Sequence, residues 1–335
     1  MHGRLILPAA LAAIVLGAAL PGVAASAPLV GRIVEYKIPS PGAVEGIAAG
    51  PDGALWFSER YTDQIGRVTP RGAFTIYSFS STTNMSADIT AGPDGALWFT
   101  FPNNVPPNSS GQIGRITPAG NTHFYRIPWT SDPEDITAGP DGNLWFTDHL
   151  AAAIGRVTTT GTVAKFAITG PTGSYPYKIA AGPDHALWFT DLNARRVGRL
   201  GIDARRTFYP IPDGDGYPDA ISAGPDGALW FTLDDAGRIG RLTTDGVLSE
   251  YRVDHPPGDY VFLSGITTGR DGALWFTYHD YTVGASKIGR ITTTGAMSLY
   301  PTPTANSAPA GITARAGALW FTEAAARQVG RIRTG

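Results

Sequence analysis

The stretch Gly139-Pro140-Asp141-Gly142-Asn143-Leu144-Trp145-Phe146-Thr147, followed by Ile154-Gly155-Arg156-Val157-Thr158, decides the fold. In Pro-Asp-Gly, the proline presets φ, the aspartate bonds local backbone, and the glycine accepts a positive φ. That combination is a tight turn. Leu144–Thr147 and Ile154–Thr158 are short runs of aromatic, aliphatic and β-branched residues, which suit strands. Upstream, Asp135-Ile136-Thr137-Ala138 reads as a strand leading into the turn. Downstream, a Thr-Gly turn leads to Val163-Ala164-Lys165-Phe166-Ala167-Ile168, a fourth strand.

The same unit recurs along the chain. Its tryptophans are Trp56, Trp98, Trp145, Trp188, Trp230, Trp275 and Trp320, spaced by 42 to 47 residues. An Ile/Val-Gly-Arg phrase follows each, with its glycine at Gly66, Gly114, Gly155, Gly198, Gly240, Gly289 and Gly330. Only Trp129 stands outside the pattern. Four short strands per repeat of this length predict the blades of a β-propeller. The chain ends support a closed ring. The last unit stops at Arg333-Thr334-Gly335, where its fourth strand is due, and residues 31–38 match the fourth strand of the third unit. The expected fold is therefore all-β: a seven-bladed β-propeller over residues 28–335, with four-stranded blades and the last completed by the N-terminal strand.

Composition agrees and excludes other classes. The 335 residues include 42 Gly and 27 Pro, and only 16% are charged. A helical bundle needs long stretches free of both residues. The net charge of −2 provides no broad attraction to nucleic acid or an anionic membrane. Without cysteine there are no disulfides, zinc thiolates or thiol nucleophiles. Residues 1–27 read as a secretory signal peptide: Arg4 supplies a positive start, Leu5 to Leu20 are almost wholly apolar, and small residues follow Pro21-Gly22. A secreted or cell-envelope monomer is expected, with no transmembrane span after cleavage.

Strand order assigns the connections to two faces. The links between first and second strands, and between third and fourth, are nearly uniform and read as scaffold. The links between blades, and between second and third strands, vary. On that variable face fall Tyr61, Phe101, Trp129, Tyr177, Tyr217, Tyr260, Tyr278 and Tyr281, a set of rings suited to a small molecule or peptide with flat or apolar surface. The first strand of each unit should line the central channel. Two residues before its isoleucine stand Glu45, Ala87, Glu134, Tyr177, Asp219, Ser264 and Ala310. Three residues after each tryptophan stand Glu59, Phe101, Asp148, Asp191, Leu233, Tyr278 and Glu323. Carboxylates converging on a narrow mouth are costly unless paired or metal-bound. Glu45, Glu134 and Asp219 are accordingly candidate ligands for Mg²⁺ or Ca²⁺, the alternative being ordinary hydration or arginine partners. His149 and His279, near the ends of second strands, are candidate general bases.

The phrases Leu-Trp-Phe-Thr-(Glu/Asp), Ile-Gly-Arg-Ile-Thr and Glu-Tyr-x-Ile-Pro, over residues 30–335, resemble the virginiamycin B lyase (streptogramin lyase) family. The resemblance implies a seven-bladed propeller that opens a cyclic depsipeptide antibiotic by elimination across its ester, with Mg²⁺. It also implies where the chemistry should lie. The family's catalytic histidine belongs to a Pro-His-Gly-Ile phrase, which here is Pro309-Ala310-Gly311-Ile312. Its metal-binding glutamate corresponds to Ala308 and its substrate-binding histidine to Ser264, leaving Glu323 as the acid retained. Two functions are thus expected in competition: an exported binding module without the family's reaction, or a metal-assisted lyase or lactone hydrolase with relocated groups, His279, His149 or Glu323 among them.

Overall fold

The computed structural model describes residues 31–79, 88–102, 110–168, 173–212, 216–234 and 236–334. The expected signal peptide, Ala87 and residues 103–109 of the second repeat's long connection, which the sequence places at 101–110, lie outside them. Seven antiparallel sheets follow one another, the first six with their strands in chain order from the axis outward. Successive innermost strands touch around the axis, and that of the last blade, Pro309–Arg315, meets that of the first, Ala43–Ala49. The ring is closed. Ile33–Lys37 pairs antiparallel with Gln328–Arg333, Ile33 opposite Ile332 and Lys37 opposite Gln328. The N-terminal strand is thus the outer strand of blade seven.

Each repeated residue has a task in this scaffold. The seven tryptophans are at most 2% exposed. Each packs against the next blade: Trp145 with Phe189, Trp188 with Phe231, and Trp320 with Phe57 across the closure. The turn aspartate holds the indole by one oxygen and the arginine by the other. In blade four Trp188 Nε1 donates to Asp184 Oδ1 at 2.8 Å and Arg199 Nε to Oδ2 at 2.6 Å. The glycine of Ile-Gly-Arg leaves room for the phenylalanine beside it. A Cβ at Gly198 would stand 2.1 Å from the Phe189 ring, and the other six units show the same crowding. His185, which replaces a turn glycine, adopts φ 56°, a region histidine tolerates better than most residues.

The innermost strands are not regular. In blades one, three, four, five and seven the pairing with the second strand slips just before the isoleucine, as between Pro133 and Ile136. In blade six the strand divides into Val261–Phe262 and Ile266–Thr268, both paired to Leu274–Asp280, so that this sheet counts five strands. A bulge re-aims side chains and leaves backbone groups to be satisfied. Here the Ser or Thr two residues after each tryptophan does so. Its hydroxyl accepts the N–H of the residue just before the isoleucine in all seven blades, at 2.7–3.1 Å. In four blades it also donates to a carbonyl of the next, as Thr147 to Tyr177 O at 2.7 Å.

Candidate functional site

The bulges open into a cavity of about 370 Å³ at one end of the channel. Its wall takes residues from inner strands, from the ends of second strands and from the variable connections, and none from the uniform turns. The expected functional face is therefore the one that carries the cavity. In five blades two consecutive residues of the inner strand reach it, at the bulge in four and at the break in blade six: Glu45 and Gly46, Tyr177 and Lys178, Asp219 and Ala220, Ser264 and Gly265, Ala310 and Gly311. Strict alternation would have sent one of each pair away from the axis.

The two sides of the cavity differ in chemistry. Blades one to five contribute Glu45, Arg60, Asp88, Asp135, Lys178 and Asp219. Lys178 Nζ donates to Asp88 Oδ2 at 2.8 Å, and Arg60 Nη1 stands 3.3 Å from Glu45 Oε1. Burial opposes the Lys178 charge, yet Asp88 and Asp135 outweigh it and hold the ammonium well above its usual range. Burial raises Glu45 and Asp219, the latter to about 8. Blades six and seven contribute Phe262, Tyr281, Pro309 and Ile312, with Ala308 and Ala310. His279 is 3% exposed, shares a hydrogen bond of 3.0 Å between Nδ1 and Ser286 Oγ, and is lowered by burial. Its ring is neutral at neutral pH.

The aromatic candidates separate. Tyr177 and Tyr281 line the cavity. Tyr260 is 49% exposed and extends the surface outward, its ring 5.6 Å from Tyr281. Tyr61 is exposed, while Trp129 lies under Lys165 and Tyr217, at the start of an inner strand, under Arg195. Phe101 and Tyr278 do not belong to the loop face: both are buried, Phe101 against Phe124 and Tyr278 in the core between blades five and six. The expectation failed because the position three after the tryptophan sits beneath the connections. All seven of its occupants are buried.

The same burial corrects the carboxylates there. They do not converge on the mouth; three of them anchor loops. Asp148 accepts Trp129 Nε1 at 2.7 Å and the Asp132 amide at 3.0 Å. Asp191 accepts Ser174 Oγ, the Tyr175 amide and Arg196, and Glu59 accepts Ser40 Oγ at 2.6 Å. Glu323 is fully buried, is not part of the cavity wall, and is pushed up to about 8 by burial and by Glu35.

Nor do Glu45, Glu134 and Asp219 form one ligand set. Among the described residues, the group whose donor atoms lie within 4.8 Å of one another is Asp132, Glu134 and His149. His149 Nε2 stands 3.3 Å from Asp132 and Nδ1 3.3 Å from Glu134, and the ring stacks on Tyr175 at 4.3 Å. Burial works against a charged His149, but Glu134 and Asp132 outweigh it and raise the ring. Burial raises Asp132 to about 6. Sequence reading missed Lys178, Asp88, Asp135 and Asp132. The first three sit one residue before the isoleucine, where varied residues were there to be seen, but alternation argued that they faced away.

Solved structures resemble this chain closely. A streptogramin B lyase shares 30% identity, with 91% of this chain and 98% of that one covered and a TM-score of 0.79. A catalytically inactive histidine-to-alanine variant of virginiamycin B lyase from Staphylococcus aureus, with quinupristin, gives 30% identity, coverage of 90% and 99%, and a TM-score of 0.81. The sequence pattern of the virginiamycin B lyase family matches residues 26–128, 104–277 and 254–335. The chain belongs to the virginiamycin B lyase family. The extracellular domain of a hybrid two-component system from B. thetaiotaomicron shares the fold at 15% identity, with coverage of 91% and 42% and a TM-score of 0.67. No curated protein matches the chain. The magnesium site that the family resemblance implies does not fit these residues. Ala308 carries no ligand atom and Glu323 is sealed off, whereas Mg²⁺ needs oxygen ligands it can reach.

Proposed function

We propose that this virginiamycin B lyase-like propeller is an exported, monomeric binding module that holds a small molecule or peptide at the mouth of its channel and does not carry out the family's elimination. One observation carries the reading: the cavity is open and aromatic-edged, but its wall presents Ala310, Ala308 and Ser264, the positions to which the resemblance assigns the family's working groups. An elimination needs a base within hydrogen-bond reach of the proton, and a methyl group is not one. The solved histidine-to-alanine variant with quinupristin is catalytically inactive, which supports separating binding from turnover. Tyr177, Tyr281 and Tyr260 would contact the ligand. Export rests on residues 1–27; no helix among the described residues is long and apolar enough to cross a membrane. The test is incubation of purified protein with a streptogramin B. Bound but intact compound is expected. Linear product whose formation is lost in His279→Ala or Glu323→Ala would overturn the reading.

A second reading, a metal-assisted lyase or lactone hydrolase, is favoured by the Asp132, Glu134 and His149 group. A divalent cation there would take the imidazole nitrogen and two carboxylate oxygens. Calorimetric titration with Mg²⁺, Ca²⁺ and Mn²⁺ tests it: no heat from any of the three, in wild type as in His149→Ala, removes this reading.

A further inference from the structure

The acidic side chains of the cavity wall outnumber its cations. Its wall carries four carboxylates, Glu45, Asp88, Asp135 and Asp219, and two cations, Arg60 and Lys178. Three of the acids are provided for. Asp88 holds Lys178, Glu45 faces Arg60, and Asp135 accepts the amides of Ile136 and Ile179 at 2.8 and 2.7 Å. Asp219 differs. It is 4% exposed and its Oδ1, like Oε2 of Glu45, is covered by protein without a hydrogen-bond partner, but unlike Glu45 it has no lysine or arginine in ion-pair contact among the described residues. A buried acid in that state keeps its proton unless a cation pairs with it. Its inner strand touches that of blade six, whose cavity residues include Phe262 and Ser264, and blade seven follows with Pro309 and Ile312. The orphan acid therefore stands where the charged side of the cavity meets the apolar one.

We propose that the cavity takes an organic ammonium ion, its nitrogen on Asp219 and its apolar body along Phe262 and Pro309. The proposal rests on the cavity reading above and specifies the ligand's chemistry. An anion would meet four carboxylates. A metal cation would need several oxygen ligands within reach, and Asp219 is not in the one such group found among the described residues. An ammonium ion needs one acid and tolerates apolar walls around the rest of the ligand. The groups acting on Asp219 are Lys178, Asp234, Glu45 and Tyr177. Burial pushes Asp219 up to about 8, so it carries a proton at pH 7 in the free protein. A cation bound against it favours the ionised form, and the proton leaves to solvent.

The experiment is calorimetric titration of the purified chain at pH 7 with 2-phenylethylammonium and with its neutral counterpart 2-phenylethanol, in two buffers of different ionisation enthalpy. The ammonium compound should bind at least about tenfold more tightly than the alcohol and release close to one proton. Asp219→Asn should weaken it about 30-fold, the loss of one buried charge partner, and abolish the proton release. Ala310→Phe, which fills the cavity from another blade, should abolish binding of both. Equal binding of the two compounds, lost in Ala310→Phe but unchanged in Asp219→Asn, overturns the ammonium assignment and leaves the cavity reading in place. Binding that survives Ala310→Phe, or no binding of either compound, overturns both. Thermal melts of the two variants verify folding.

Discussion

Gly198 and its six counterparts show how a single atom can be excluded. The glycine faces the flat side of a buried phenylalanine, and a methyl group in its place would overlap the ring. We expect Gly198→Ala to cost about 3 kcal/mol, the upper range for overpacking a dense core, measured by urea unfolding. Lys178 poses the opposite case, a charge the interior wants. Its removal leaves Asp88 without its cation and Asp135 without a neighbouring one. Lys178→Met should cost about 3 kcal/mol, the low end for breaking a buried pair, because the side chain keeps some contact with water. A loss below about 1 kcal/mol on the same assay would show that the pair is solvated and the cavity floor wetter than drawn here. The repeated residues were readable in the sequence because sevenfold recurrence marks scaffold; Lys178 was not, because it occurs once and at a position that alternation turned outward.

The inner strand is the element on which the site depends. Its bulge brings two successive side chains to the axis, and a hydroxyl of the second strand satisfies the backbone this disturbs. Thr147 accepts the Asp135 amide at 3.1 Å and donates to Tyr177 O in the next blade at 2.7 Å. Thr147→Val keeps the shape and removes both bonds. It should cost about 2 kcal/mol, with Thr147→Ser restoring most of the loss; equal destabilisation by Val and Ser would mean that packing, not hydrogen bonding, is what the residue supplies. The Thr of Leu-Trp-Phe-Thr was plain in the sequence. Its partnership with a bulge was not, since nothing in a local pattern announces which backbone N–H a hydroxyl will meet.

Across the whole molecule two sets of acids oppose one another in pH. Burial tends to raise Asp52, Asp94, Asp141, Asp184 and Asp226, but their bonds from tryptophan, joined by arginine in four of them and by Asn143 at Asp141, outweigh it and lower them. A depressed carboxyl contributes stability that is present above its unfolded pKa of about 4 and is lost as pH falls through the folded value. Asp219 and Glu323 are raised to about 8 and Asp132 to about 6. The folded state holds those protons more tightly than the unfolded one, so stability declines as pH climbs from about 4 toward 8. The melting temperature should therefore peak on the acid side of neutrality, near pH 5, and Glu323→Gln should flatten the decline between pH 6 and 9. A profile rising steadily to pH 8 would contradict this balance. Ring closure is testable at the same scale. Ile33–Lys37 completes blade seven, and Tyr36 stacks on Trp320 at 5.7 Å. Deleting residues 1–38 should lower the melting temperature and split the single calorimetric transition, because it bares a sheet edge and the Trp320 ring.

The sequence by itself determined the seven units, their four strands, the split last blade and the face that varies. Each of these follows from local signals repeated often enough to be unmistakable: turn chemistry, strand composition and spacing. Its resemblance to the family also implied that Ala310, Ala308 and Ser264 stand where the family carries its chemistry. Tertiary structure alone decided which varied residues meet. The bulges turned Lys178 and Asp135 toward the axis, where Asp88 joins them, burial removed Phe101, Tyr278 and Glu323 from the mouth, and a loop residue, Asp132, joined Glu134 and His149. The physical reason is that side-chain direction on a strand depends on an unbroken register, and one extra residue, invisible to composition or period, reverses it.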